Sequence, residues 1–226
     1  MITEARLDLL AALLLTFAGG SMDACSYIAH GHVFATAQTG NIVLLALNLA
    51  SGNLADAGRH VPSLLAFSAA IVFSRVLEGT LDRTSERSPA LRLSLECLGL
   101  LALVWCAGQL PDMIVTASLA FIGGVQLTSF SRVDGWSFNS TITTGNLRDL
   151  FSALSMAWLR PGERQHRRRA ITLGMICSAF FSGALVGGYC TMRIGDRALL
   201  LTALSVLIAI MSLRAKVGSS APSQGA

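Results

Sequence analysis

The amino-acid sequence predicts an all-α membrane protein with six transmembrane helices arranged as a 3+3 inverted repeat. Three observations support this fold class: long apolar segments, few charged residues, and a series of residues that occurs twice. The 226-residue chain is 53% hydrophobic and 13% charged. Average soluble domains carry about 25% charged residues. So few charges cannot cover a water-facing surface, and we therefore expect most of the surface to face lipid.

Six segments approach the ~20 mostly apolar residues that a helix needs to cross a bilayer. They are Leu9–Ile28, Val61–Leu77, Leu93–Leu110, Met113–Phe130, Ala170–Tyr189 and Ala198–Leu213. Two further apolar segments, Ile42–Ala50 and Leu147–Trp158, are too short to cross as straight helices. Each of them follows a polar, glycine-containing stretch. We therefore predict a broken or re-entrant element in each half of the chain.

An ordered series of residues indicates an internal duplication. At an offset of 104 residues, the matches are Phe17-Ala-Gly-Gly with Phe121-Ile-Gly-Gly, Gly31 with Gly135, and Phe34 with Phe138. Thr39-Gly40-Asn41 matches Thr144-Gly145-Asn146 at an offset of 105, which predicts one inserted residue. We divide the single membrane domain into a first repeat at 1–110, a second repeat at 111–217, and a disordered tail at 218–226.

The arginines predict the orientation, because cytoplasmic loops are enriched in basic residues. Two clusters mark cytoplasmic loops: Arg75, Arg83, Arg87 and Arg92, and then Arg160, Arg164, Arg167, Arg168 and Arg169. The turn Gly108–Asp112 has no basic residue and is expected outside. Three crossings in each half then give the halves opposite orientations. We expect a multi-pass protein of the bacterial inner membrane, with the N- and C-termini in the cytoplasm.

Interrupted helices in inverted repeats are typical of secondary transporters, whose sites lie near the membrane midplane. We expect Thr39 and Thr144 to cap the two short helices, since a threonine oxygen accepts hydrogen bonds from the opening amides. Two positive helix ends would then favour an anion, or the carboxylate of a zwitterion. The alternative is that Thr-Gly-Asn only caps and packs the helices. The candidate solute- or ion-binding residues are Asp23, Gln38, Thr39, Gly40, Asn41, Gln126, Thr143, Thr144, Gly145 and Asn146.

Asp23 lies inside the first apolar segment, and an ionisable residue there is a functional hypothesis by default. It would contact a coupling ion or the solute. The alternative places it near the outer interface, bonded to backbone. Its counterpart at the 104-residue offset is Leu127, with Gln126 beside it.

Other polar residues have structural interpretations. Glu96 follows Arg92 by four residues, which favours an ion pair on one helix face over a proton site. His30 and His32 are better explained as loop histidines than as metal ligands. Gly183 and Gly187 form a GxxxG pattern, which permits close helix packing. We predict no metal, cofactor or catalytic residue, because no motif of soluble-type catalysis is present.

Several of these residues resemble the YoaK family, a group of bacterial inner-membrane proteins defined by a domain of unknown function. The first conserved block is similar to Gly19-Gly20, Asp23-Ala24, Ser26, Gly31, Phe34 and Thr39-Gly40-Asn41. The second block is similar to Gln126 and Thr143-Thr144-Gly145-Asn146, whereas Leu127–Arg132 departs from it. The resemblance covers nearly the whole chain. It implies a six-helix membrane protein and supplies no substrate.

The preferred functional hypothesis is a transporter or channel for a small anionic or zwitterionic solute, bound at midplane between the two Thr-Gly-Asn elements. One alternative is a non-transporting scaffold or regulatory protein. Another is a membrane-embedded enzyme that uses Asp23 and a loop histidine. The expected partners are the lipid bilayer and a small-molecule or ion substrate. Nucleic acid is excluded because the arginines lie in short loops, and a homo-oligomer is left open.

Overall fold

The computed structural model describes residues 4–80, 87–133 and 135–220. Within these ranges the chain is helical apart from short connections and one two-stranded antiparallel hairpin, Arg132–Val133 with Trp136–Ser137. The α-helices are α1 (Glu4–Ala29), α2 (Gln38–Ala50), α3 (Leu54–Thr80), α4 (Arg87–Cys106), α5 (Asp112–Ser129), α6 (Thr143–Leu159), α7 (Arg164–Ile194) and α8 (Leu199–Ser220). Short 3-10 turns follow α4, at Ala107–Gln109, and α7, at Gly195–Ala198.

Five stretches of the described residues are long and apolar enough to cross a membrane. They are Glu4–Ala29, Leu54–Gly79, Ala90–Gln109, Asp112–Ser129 and Arg164–Lys216. The last stretch contains both α7 and α8. An all-α membrane protein is therefore confirmed. Helix α8 continues to Ser220, three residues into the predicted tail, while residues 221–226 lie outside the described residues.

Helices α2 and α6 are the short elements. With 13 and 17 residues, they extend about 20 and 26 Å at 1.5 Å per residue, less than the ~30 Å of a hydrocarbon core. Each packs against the helix that follows it, α2 on α3 and α6 on α7. Their outer faces are apolar: Leu47 is 60% exposed and Trp158 is 82% exposed. Such surfaces suit contact with lipid.

Glycines allow α1 to pack closely against α7. A Cβ at Gly183 would overlap the carbonyl oxygen of Phe17, and one at Gly187 would overlap the side chain of Ser21. From the other side, a Cβ at Gly20 would overlap the carbonyl oxygen of Phe180. The GxxxG pattern is therefore used for helix packing inside this chain, as expected.

Helix α5 packs against α3 in a related way. A Cβ at Gly124 would lie 3.0 Å from the carbonyl oxygen of Phe67 and 2.7 Å from the Cβ of Ala70. The first long helix of each half is thus packed against a long helix of the other half, α1 on α7 and α5 on α3. A shared core is formed by α1, α4, α5 and α8, with Leu15, Leu93, Leu119 and Leu199 fully buried. The two halves are interlocked rather than side by side.

The prediction of an ion pair between Arg92 and Glu96 is wrong. Arg92 instead donates a hydrogen bond to Glu78, near the end of α3, and Glu78 also accepts one from Arg75. This pairing between helices takes the place of a pair along α4. Glu96 is 2% exposed, and neither of its carboxylate oxygens has a hydrogen-bond partner among the described residues.

Glycine 183 provides a test of the α1–α7 contact. Gly183→Ala should lower the free energy of unfolding by about 1–3 kcal/mol, because the added methyl group overlaps backbone of α1. Gly58→Ala is the matched control, since nothing lies within 4 Å of a Cβ there; it should be neutral or stabilising by about 0.5–1 kcal/mol. Thermal unfolding of both variants in detergent measures the difference. Equal stability of the two would contradict the close contact.

Candidate functional site

The asparagines of the two Thr-Gly-Asn elements close the loops that precede them. Asn41 accepts a hydrogen bond from the backbone N–H of Phe34 at 2.9 Å and donates one to its carbonyl oxygen at 2.8 Å. Asn146 makes the same pair of bonds with Asn139, at 2.9 and 2.6 Å. Both side chains are buried and span seven residues of chain. We refer to these two arrangements as the asparagine clasps.

The clasps locate the inserted residue of the second half. Phe34 corresponds to Asn139, an offset of 105 residues, and not to Phe138. Earlier in the same loops, Gly31 and Gly135 still match at 104, because both have positive φ, at 68° and 81°. The insertion therefore lies between Gly135 and Asn139. Closing a loop around a positive-φ turn is a role that glycine performs without strain.

Thr39 and Thr144 do not cap the short helices, so that prediction is wrong. The helices begin one residue earlier, at Gln38 and Thr143, and neither N-cap residue makes a side-chain hydrogen bond to the helix. Both threonines are exposed instead. Each short helix begins directly after the loop that its clasp holds. Thr39 and Thr144 are therefore already inside the first turn and cannot be N-cap residues.

Gly40 and Gly145 lie against the clasped loops rather than beside open space. A Cβ at Gly40 would lie 3.0 Å from the ring of Phe34, and one at Gly145 would lie 3.3 Å from the side-chain amide of Asn139. Gln38 faces α3, where its amide donates to Ser63 at 3.4 Å. These contacts describe a packed first turn in both short helices.

Asp23 stabilises the start of α2. Its carboxylate accepts hydrogen bonds from the backbone N–H of Thr36 at 2.6 Å, from the Thr36 hydroxyl at 2.8 Å, and from the N–H of Ala37 at 3.3 Å. Asp23 is 5% exposed and lies six residues before the end of α1, about 9 Å along the helix axis. A negative charge thus already sits where the α2 dipole favours one.

The two halves meet at Thr36 and Thr141. The Thr36 hydroxyl lies 3.1 Å from the carbonyl oxygen of Thr141. Glycines make this approach possible: a Cβ at Gly19 would lie 2.5 Å from the Ser140 carbonyl oxygen, and one at Gly123 would overlap the Thr36 side chain. The loop of each half therefore lies on the first long helix of the other. The equal 105-residue spacing of Thr36 and Thr141 was the signal that sequence reasoning missed.

The second half contributes polar atoms that lack partners. Gln126 donates to the Leu15 carbonyl oxygen at 2.8 Å and to the Ser140 hydroxyl at 3.1 Å, but its own carbonyl oxygen has no partner among the described residues. The hydroxyl oxygens of Thr141 and Thr143 are also buried and have no hydrogen-bond partner within the part of the chain that the structure describes. Buried polar atoms without a partner are rare and point to a missing ligand, water or ion.

These residues form one group, which we call the central polar cluster. Its members are Asp23, Thr36, Gln126, Ser140, Thr141 and Thr143. Of the residues expected at the site, the structure brings together Asp23 and Gln126 through Thr36 and the Ser140–Thr141 loop. Thr143 follows Thr141 by two residues, whereas Asn41 and Asn146 are engaged in clasps. The Asp23 carboxylate and the Gln126 carbonyl oxygen can only accept hydrogen bonds, while the two threonine hydroxyls can donate or accept, so the cluster is suited to a cation, a proton or a solute that donates hydrogen bonds.

His30 joins three parts of the chain and was not expected to do so. Its Nδ1 lies 3.0 Å from Asp112 at the start of α5, and its Nε2 lies 2.8 Å from Asp196 between α7 and α8. His32 diverges from it, with φ of 57° and its ring near Tyr27. His30 therefore anchors the end of α1, and a pairing with His32 at a metal site is not formed.

Comparison with known proteins identifies the family. The family described as "Protein of unknown function (DUF1275)" matches residues 11–212. The chain belongs to this family. The UPF0700 transmembrane protein YoaK of Bacillus subtilis (strain 168) is 29% identical over 154 residues, covering 66% of this chain and 68% of that protein. The resemblance to the YoaK family is thereby confirmed.

No solved structure matches this DUF1275 member. The matched range, residues 11–212, includes both clasps and every residue of the central polar cluster. It also includes His30 and both of its aspartate partners.

The asparagine clasps can be tested by substitution. Asn41→Ala and Asn146→Ala should each lower the free energy of unfolding by about 1–3 kcal/mol, because two backbone groups at each loop lose their partner inside the protein. Asn48→Ala, a half-buried position of α2 outside the clasp, is the control and should change stability little. Thermal unfolding in detergent reports all three. A loss at Asn48 equal to that at Asn41 would show that the clasp carries no special stability.

Proposed function

We propose that this chain is a membrane transporter or channel for a small solute, built as an inverted repeat in the bacterial inner membrane. The proposal is supported by the paired clasps at residues 34–41 and 139–146, each ahead of a helix too short to cross. Discontinuous helices are the usual setting of solute sites in secondary transporters.

The topology follows from counting α7 and α8 as separate crossings. Three long helices then belong to the first half (α1, α3 and α4) and three to the second (α5, α7 and α8). An odd number of crossings gives the halves opposite orientations. Positive-inside placement of the arginines puts the loop between α6 and α7 and both termini in the cytoplasm.

The central polar cluster favours a solute with a positive or hydrogen-bond-donating group. Asp23 carries the negative charge, and the unpartnered oxygens of Gln126, Thr141 and Thr143 add acceptors. This observation carries the proposal. An anion alone is disfavoured at α2, because Asp23 already accepts the hydrogen bonds there.

A zwitterion fits the asymmetry between the halves best. Leu127 stands where Asp23 stands in the first half, so no carboxylate of this kind meets the start of α6. A solute carboxylate could bind at that helix end, while its ammonium group faces Asp23. The Thr36 hydroxyl lies between the two positions, 2.8 Å from the Asp23 carboxylate and 3.1 Å from the Thr141 carbonyl oxygen, and it can donate its one hydrogen to either. An enzyme with Asp23 and a loop histidine is less favoured, since His30 is held by Asp112 and Asp196.

The topology is tested by labelling single cysteines in a cysteine-free background. Gln165→Cys, exposed at the start of α7, should react only from the cytoplasmic side, and Gln109→Cys, exposed after α4, only from outside. Impermeant maleimide added to intact cells and to inverted vesicles distinguishes the two faces. Labelling of position 165 from outside the cell would overturn the inverted repeat.

The role of Asp23 is tested with Asp23→Asn. The new side chain can keep the present geometry, because its oxygen accepts from Thr36 and Ala37 and its amide donates to the Thr36 hydroxyl. Only the charge is lost. We expect unchanged folding, but loss of the rise in unfolding temperature that glycine, alanine or glycine betaine produces in the wild-type protein, and loss of uptake of the best of these into proteoliposomes.

Asp8→Asn is the matched control, since it makes the same change on the same helix at an ion pair with Lys216. It should respond to the solutes like the wild type. A wild-type protein that responds to none of the zwitterions, or an Asp23→Asn variant that responds equally well, would favour the scaffold alternative. A response to acetate or formate alone would restore the anion hypothesis.

A further inference from the structure

A cavity of about 510 Å³ opens between the N-terminal ends of α1 and α7, away from the central polar cluster. Four arginines line it: Arg6, Arg164, Arg167 and Arg168. No aspartate or glutamate belongs to its lining. Positive charges gathered around one opening favour an anion, and the guanidinium group is suited to two-point binding of phosphate.

Neighbouring arginines of the same surface are already paired. Arg160 forms an ion pair with Glu163, while Arg148 and Arg169 both pair with Asp149. By contrast, within residues 4–80, 87–133 and 135–220, no acidic side chain forms an ion pair with Arg6, Arg164 or Arg167. The acids therefore neutralise the arginines on the α6 side but not Arg6, Arg164 and Arg167 of the cavity.

The remainder of the lining is apolar and continues toward the membrane. Leu9 on α1, together with Ile171 and Met175 on α7, lies beyond the arginines along the helices. Ile171 is 55% exposed and Met175 is 41% exposed. Residues 164, 167, 168, 171 and 175 share one face of α7, since they follow the three-to-four-residue period of a helix. The charged and apolar parts thus form one continuous groove.

We propose that this groove binds an anionic phospholipid, with its phosphate held by the arginines and its acyl chains along Leu9, Ile171 and Met175. The start of α7 adds the positive end of a helix dipole at the same place. A free phosphate ion would use the arginines but leave the apolar half of the groove uncovered. Basic recesses between transmembrane helices on the cytoplasmic side are known settings for anionic lipid headgroups. This site does not depend on the proposed transport activity.

The test titrates the purified full-length protein in neutral detergent with dioleoyl phosphatidylglycerol or dioleoyl phosphatidylcholine and follows thermal unfolding. The phosphatidylglycerol lipid should raise the unfolding temperature at a lower concentration than the phosphatidylcholine lipid. In the double variant Arg164→Gln, Arg167→Gln, the apparent affinity for phosphatidylglycerol should fall about 25-fold, about fivefold for each arginine removed.

The double variant Arg148→Gln, Arg160→Gln is the matched control, because it removes two charges from the same surface outside the cavity. It should bind phosphatidylglycerol like the wild type. Unfolding without added lipid verifies that each variant is folded, and a variant that is not folded is replaced by Arg6→Gln, which lies on the other wall. Equal losses in the cavity and control variants would overturn the site, as would equal responses to the two lipids. Equal stabilisation by millimolar inorganic phosphate would assign the arginines to a soluble anion and overturn the lipid proposal.

Discussion

Backbone amides and carbonyls that leave a helix inside a bilayer must find partners within the protein, and this requirement shapes the centre of the molecule. Two loops interrupt the helical order here, at residues 30–37 and 130–142. The asparagine clasps satisfy one N–H and one carbonyl in each loop. Asp23 satisfies two further amides ahead of α2. These side chains therefore stabilise the loops from which the two short helices begin.

The same requirement explains what the two halves share and where they differ. Both use an asparagine at the third position of the Thr-Gly-Asn motif, because the clasp is local and can be duplicated with the sequence. The amides ahead of the short helices are treated differently. In the first half, the Asp23 carboxylate accepts their hydrogen bonds. The second half has Leu127 at the position that corresponds to Asp23, and the neighbouring Gln126 donates hydrogen bonds to Leu15 and Ser140 instead. The carboxylate of the central polar cluster therefore comes from α1, at Asp23.

Much of the fold could be predicted from the sequence, because span length and hydropathy are local properties. The segments Leu9–Ile28, Val61–Leu77 and Ala170–Tyr189 fall within α1, α3 and α7. The other three match α4, α5 and α8 and extend past them by one to four residues at one end. The role of Thr-Gly-Asn was only partly predictable: the motif does mark the two short helices, but the threonines are exposed and the asparagines hold the loops. Side-chain partners such as Glu78 for Arg92, or Asp112 and Asp196 for His30, depend on how distant segments pack. Spacing along one helix carries no information about them.

The exchange of long helices between the halves sets an order of events during synthesis. Helix α1 leaves the ribosome first, yet α7, the helix against which its glycine face packs, begins only at Arg164. Until then the buried face of α1, with Asp23 on it, meets lipid or the insertion machinery instead of its final neighbour. Biogenesis therefore has to tolerate a polar, weakly held first helix for most of the time that translation takes. The Asp23 carboxylate, which has hydrogen-bond partners in the folded protein, makes the membrane insertion of the nascent α1 less favourable.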